Sequence, residues 1–270
     1  MSAERDLLTG DGRLHYRVEG EGPAILWLPG AGANHTALMG LSRSIPGRRH
    51  LLPDPRGMGS TPRGEGELTV SRLAADAHAL LVAEAAQPAV VVGHSLGTAV
   101  AQELERSYPR SVSALVLLAP WREHDAFLER QRTLVSGIVS RSEPPVYADA
   151  VIWFLVSRRM QNEAPQAVET MKRSMFLGSR CPDPGALVES LLLSRTFAFD
   201  PERAPRVPTL VMAGEEDRMT PWQNARDLSA SIPGSRWVLV TGPGSSHLFH
   251  VERVAEVLEA IRAFLADAGV

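Results

Sequence analysis

At 270 residues the chain is long enough to bury a sizeable core, and its 44% hydrophobic and 22% charged content excludes a disordered, collagen-like or membrane-embedded protein. A formal net charge of -3 supplies no basic field for DNA, RNA or an anionic membrane, so the expected partner is a small-molecule substrate, with the protein a monomer or homodimer. Cys181 is the single cysteine, which excludes an internal disulfide and a cysteine-built zinc site; neither a signal-like start nor an apolar run of about 18 residues is present, and the expectation is a cytoplasmic protein.

In chain order, the apolar runs Leu14 to Val18, Ala24 to Leu28 and His50 to Asp54 are each bounded by Gly, Pro or charge and predict strands. Val70, Leu73, Ala74, Ala77, Leu80 and Leu81 recur at helical spacing, which predicts a helix over 69–86 that Pro88 stops. Ala89 to Val92 reads as a strand buried on both faces; it runs into Gly93-His94-Ser95-Leu96-Gly97 and a helical stretch to Tyr108. Val112 to Leu118, Val207 to Met212 and Trp237 to Val240 repeat the buried-strand signature, while 221–231 and 251–268 read as helices. This alternation predicts an α/β fold with a mostly parallel central sheet flanked by helices. Between Pro120 and Pro208 the strand signals stop, and helix-like segments broken at Pro144-Pro145, Pro165 and Pro182-Asp183-Pro184 predict an inserted helical cap. The expected organisation is a core of 1–120 and 205–270 and a cap of 121–204. Lys172 is the one lysine among many scattered arginines, and we draw no function from that bias.

Gly93 to Gly97 fits Gly-x-Ser-x-Gly, whose small residues permit a sharp strand-to-helix turn that holds a serine oxygen out at the sheet edge. Ser95 is therefore the candidate nucleophile, although a serine there can also simply cap the following helix. A serine hydroxyl needs an imidazole base oriented by a carboxylate. Asp217, in the Gly214 to Pro221 loop after a strand, is the candidate acid, with Glu216 as runner-up. His247, on the Gly242 to Ser246 loop after the last strand, is the candidate base, with His250 as its competitor. His94 adjoins the nucleophile, and strand alternation turns its side chain away from that of Ser95. The oxyanion that forms on attack needs backbone donors, for which the Leu96 and Ala31 N–H groups are the candidates, the second on the Gly-rich loop Pro29-Gly30-Ala31-Gly32. Gly30, His94, Trp121, Trp153, Phe154 and Met175 are expected around an apolar substrate pocket. No metal site and no cofactor is expected.

These residues resemble the α/β-hydrolase fold superfamily, in its serine esterase and lactonase branch, along nearly the whole chain. Pro29 to Gly32 is similar to the family's oxyanion segment, Asp54-Pro55-Arg56-Gly57-Met58-Gly59-Ser60 to its Asp-x-Arg-Gly-x-Gly-x-Ser loop, and Gly93 to Gly97 to its elbow. Gly214 to Asp217 resembles its acid loop, and His247 with Glu252 its terminal His and Glu. Pro29 departs from the usual His, and Thr98 from a common Gly. The expectation is hydrolysis of an ester, lactone or thioester of a small, largely apolar molecule through an acyl-enzyme. The alternatives are the same triad serving C–C bond hydrolysis, acyl transfer, elimination or cofactor-free oxygenation, or a small-molecule receptor with a silent triad.

Overall fold

The computed structural model describes residues 2–10, 12–178, 182 and 184–270; Cys181 and the Asp183 of the third proline break lie outside them. Among these residues eight strands form one sheet: β1 Ser2–Thr9, β2 Gly12–Glu19, β3 Ala24–Leu28, β4 Arg49–Pro53, β5 Ala89–His94, β6 Val112–Leu118, β7 Thr209–Gly214 and β8 Arg236–Val240. Their order is β1-β2-β4-β3-β5-β6-β7-β8, antiparallel between β1, β2 and β4 and parallel from β4 onward. The α/β architecture expected from the alternation is present. The sequence did not predict β1, because its charged residues leave neither face apolar and Leu8 is 82% exposed. β1 is held as an edge by its antiparallel ladder to β2.

The parallel strands are apolar on both faces because helices cover both. On one face, Leu26, Val91, Leu115, Leu117 and Val211 meet α2 Val70–Ala83, α3 Leu96–Ser107 and α9 Trp222–Ser231. The alternate residues Ile25, Trp27, Val92, Val116 and Met212 meet α1 Met39–Ser42 and α11 Val254–Asp267 on the other. A single helix was expected over 251–268; it is broken at Arg253 into α10 Phe249–Glu252 and α11. The Arg253 guanidinium donates back to Thr241 O (2.8 Å) and Pro243 O (3.2 Å), pinning the break to the loop after β8. No helix among the described residues is long and apolar enough to cross a membrane.

Between β6 and β7 the chain is helical: α4 Ala126–Arg141, α5 Pro144–Leu155, α6 Arg158–Glu163, α7 Pro165–Lys172 and α8 Pro184–Leu192. Pro begins α5, α7 and α8, where its missing N–H costs no helical bond. These helices share a core of their own around Val135, Tyr147, Ile152, Phe176 and Leu191, and Met219 and Leu248 from the loops after β7 and β8 enter it. The helical segment is thus packed onto the carboxyl ends of the strands, where open α/β sheets place their sites.

Candidate active site

β5 ends at His94, and Ser95 leaves it at φ 50° and ψ -118°, a left-handed conformation rare outside glycine. The turn is fixed by Ser95 N–H donating to Leu118 O (2.9 Å) and by Thr98, fully buried, whose Oγ1 donates to Ser95 O at 2.6 Å. That bond accounts for the departure at Thr98: its hydroxyl braces the elbow. The flanking glycines are required by close approach. A Cβ on Gly93 would lie 2.4 Å from Gly97 O, and one on Gly97 would lie 2.0 Å from Leu28 O.

Asp217 and His247 come from the loops after β7 and β8, and they meet at 2.8 Å between His247 Nδ1 and Asp217 Oδ2. Asp217 is oriented by the Met219 and Thr220 amides, which donate to Oδ1 at 2.7 and 2.9 Å. Thr220 Oγ1 lies 3.0 Å from Asp217 Oδ2 and 3.1 Å from Ala119 O, with one proton to share between them. Glu216 instead braces the histidine loop, accepting from Gly244 N–H at 3.1 Å. Glu252, which the sequence offered only as part of a family pattern, accepts from Ser246 Oγ (2.6 Å), Ser157 N–H (2.9 Å) and Ser157 Oγ, so one carboxylate ties the His247 loop to the start of α6. Among the described residues no carboxylate pairs with His250, so the geometry of an oriented base belongs to His247.

Ser95 and His247 line one cavity of about 570 Å³. Among the described residues no hydrogen bond joins Ser95 Oγ to His247; such contacts commonly tighten only when substrate arrives. Gly30, Ala31, Leu96, His94, Trp121 and Met175 line the same cavity. Two expected lining residues do not: Trp153 is 50% exposed with the Arg218 guanidinium over its ring, and Phe154 packs edge-on against Trp153 at the side of the helical core. They follow Ile152 on α5, so the inward helix face passes through Val151 and Leu155 instead. His94 is also placed differently from the strand-alternation expectation. Because Ser95 breaks the alternation, the His94 ring and Ser95 both face Gly30, where a Cβ would lie 3.2 Å from His94 Nδ1 and 3.2 Å from Ser95 Cβ. A smaller cavity of about 40 Å³ lies behind the same Gly30 to Gly32 loop.

His94 Nε2 donates to His247 O (3.0 Å), and its ring stands 4.8 Å from that of His247 and 4.4 Å from that of His250. Burial, then the fields of His250 and His247, hold His94 well below the ordinary histidine range, and burial, then His247, lowers His250 to about 3. Both rings are therefore neutral at pH 7 and add no charge that opposes an imidazolium at His247. Because the folded chain binds fewer protons here than the unfolded chain, this stability is complete above about pH 6.5 and is lost as pH falls below it, at about 1.4 kcal/mol per pH unit per histidine. Urea unfolding at pH 6.5 and 5 should show a shallower loss for His250→Gln than for wild type, the carboxylate titrations being common to both; equal slopes would contradict neutral burial of this ring.

Among the described residues, one group outside the cavity has metal-like composition: donor atoms of His15, His35 and Asp54 lie within 4.8 Å of one another. Its acid is already committed to loop structure. Asp54 Oδ1 accepts from His35 N–H (2.8 Å) and pairs with His35 Nδ1 (2.7 Å), while Oδ2 accepts from Ser60 N–H (2.8 Å). This bonding accounts for the Asp54 to Ser60 motif, with Gly59 at φ 54° because a Cβ would strike Asp54 Oδ2 at 2.1 Å. Arg56 of the same loop makes a buried two-bond pair with Asp76 on α2.

Residues 25–260 match the model of the alpha/beta hydrolase family. The chain belongs to that family. It is 29% identical over 231 residues to the "Putative carbamate hydrolase RutD" of Azorhizobium caulinodans, covering 84% of this chain and 86% of the relative. It is 30% identical over 226 residues to the "Putative non-heme bromoperoxidase BpoC" of Mycobacterium tuberculosis, covering 82% and 84%. The solved enol-lactonase of Burkholderia xenovorans LB400 superposes with a TM-score of 0.84 at 20% identity, covering 97% of this chain and all of that one, a likeness of fold. This alpha/beta hydrolase is accordingly an enzyme by family, and the expected superfamily is the one found.

Proposed function

We propose that the protein is a serine hydrolase that cleaves an ester, lactone or thioester of a small, largely apolar molecule through an acyl-enzyme. The observation that carries this reading is the 2.8 Å His247–Asp217 bond beside a left-handed Ser95 on a shared cavity. In the proposed cycle Ser95 Oγ attacks the acyl carbonyl, its proton passes to His247 Nε2, and the imidazolium formed is stabilised by Asp217 through Nδ1. The Leu96 and Ala31 N–H groups stand as the oxyanion donors; neither has a backbone acceptor among the described residues. His247 returns the proton to the leaving group, and a water deprotonated by His247 then releases the acid. Segment 121–204 is proposed as a cap that sets substrate size, a reading supported by Val151, Leu155, Met171 and Phe176, which line the same cavity as Ser95.

Because the cavity wall is mainly apolar, kcat/KM for p-nitrophenyl esters should rise from acetate toward medium chain lengths, by about fourfold for each methylene that enters the cavity. A panel adding a γ-lactone, a thioester and an alkyl carbamate ranks the leaving groups. Absence of turnover across the panel by folded protein would overturn the acyl-transfer reading.

A further inference from the structure

Among the described residues, the cavity that Ser95 faces is lined by one permanently charged side chain. Arg132, on α4, lines it while being only 3% exposed, and no Asp, Glu or Lys occurs among the other described lining residues. A guanidinium removed from water in this way ordinarily sits against a carboxylate, because an uncompensated buried charge is costly. Here the partners are neutral: Nε donates to Ser194 Oγ (2.9 Å) and Nη1 to Gln131 Oε1. Asp217 is the carboxylate whose field reaches Arg132, and its oxygens are already engaged by His247, Met219 and Thr220. The fork is also held rigid, since Gln131 Nε2 contacts Met219 Sδ (2.8 Å) and Ser194 Oγ in turn donates to Leu191 O (2.8 Å). The fork is thus oriented in advance and, among the described residues, hydrogen-bonds to no carboxylate, beside a cavity whose wall is mainly apolar.

We propose that the natural substrate carries a carboxylate at a distance from its scissile acyl bond, and that Arg132 binds this carboxylate and so selects acidic over neutral substrates. A carboxylate fits better than a phosphate ester, because one guanidinium balances one negative charge and the described lining residues offer no second cation. The inference rests on the hydrolase reading for its substrate and refines it: an apolar molecule with one acidic end.

The test pairs hemiesters with neutral esters. Monomethyl glutarate, adipate and pimelate are compared with methyl pentanoate, hexanoate and heptanoate by pH-stat, using wild type, Arg132→Gln and Arg132→Lys. The best hemiester should exceed its neutral counterpart by about tenfold or more in kcat/KM, and Arg132→Gln should erase that preference mainly through KM, as loss of one charge-assisted pair predicts. Arg132→Lys should restore part of it. Hemiesters that are no better than neutral esters, or an Arg132→Gln loss equal on both, would overturn the proposal and leave Arg132 a support for the acid loop. Calorimetry on Ser95→Ala with monomethyl and dimethyl adipate, with and without Arg132→Gln, reads binding apart from turnover. Arg132-dependent preference for the monoacid without hydrolysis by wild type would keep the anion site and remove the hydrolase reading. Hydrolysis without that preference would do the reverse.

Discussion

Ser95→Ala is expected to lower kcat on activated esters by about 100,000-fold or more, and His247→Ala by a similar factor, with the double variant no worse than either single one. The non-additivity follows from the proposed chemistry: the proton on Ser95 Oγ has no other base, so removing either member removes the same step. Asp217→Asn should cost about 10,000-fold, because the amide cannot hold His247 Nδ1–H at 2.8 Å as an acceptor in the same tautomer and cannot stabilise the imidazolium. Glu216→Gln should cost far less, since its carboxylate braces Gly244 and does not touch His247. Steady-state kinetics on p-nitrophenyl butyrate, with circular dichroism to show that each variant is folded, decide between these outcomes. Additive losses in the double variant would mean that the serine and the histidine act in separate steps.

The second large effect is on the scaffold. Gly97→Ala puts a Cβ 2.0 Å from Leu28 O and 2.8 Å from Pro29 O, both backbone atoms of the strand and loop that carry Ala31. No rotamer relieves that contact, so α3 must move off β3, at an expected cost of about 3 kcal/mol in unfolding free energy. Activity should fall by about 100-fold as well, because the elbow and the Gly30 to Gly32 loop separate by a fraction of the contact distance their chemistry needs. Gly137→Ala is the matched control: it lies within α4 with nothing within 4 Å of the added carbon, and it should stabilise by roughly 0.5–1 kcal/mol. Urea unfolding read by tryptophan fluorescence separates the two. A Gly97→Ala protein as stable as wild type would show that the strand-helix approach at the elbow is not tight.

Local patterns carried much of the architecture. Val112 to Leu118 is legible because its unbroken apolar run of five residues, Ala114 to Leu118, suits an interior strand, and Thr69 marks the start of α2 by capping Arg72 N–H at 3.0 Å. β1 was not legible because its ladder to β2 and polar side-chain pairs such as Arg5–Glu84, not an apolar face, hold it. The Asp217 and His247 positions could be read because each follows a buried strand on a short loop, so chain order alone restricts where the side chains can reach. Side-chain direction was less accessible. His94 required knowing that φ at Ser95 breaks the strand alternation, and Trp153 and Phe154 required knowing which face of α5 turns inward. Arg132 had no sequence signal at all: it is one of many scattered arginines, and only its burial beside neutral partners distinguishes it.

The measurement that addresses the central claim most directly is intact-protein mass spectrometry after a fluorophosphonate probe, and after rapid quench with p-nitrophenyl butyrate, on wild type and His247→Ala. The account predicts one phosphonyl adduct that maps to Ser95, a butyryl adduct on the same residue during turnover, and loss of both in His247→Ala. Turnover of the ester with no adduct on Ser95, or with an adduct elsewhere, would contradict covalent catalysis at this elbow.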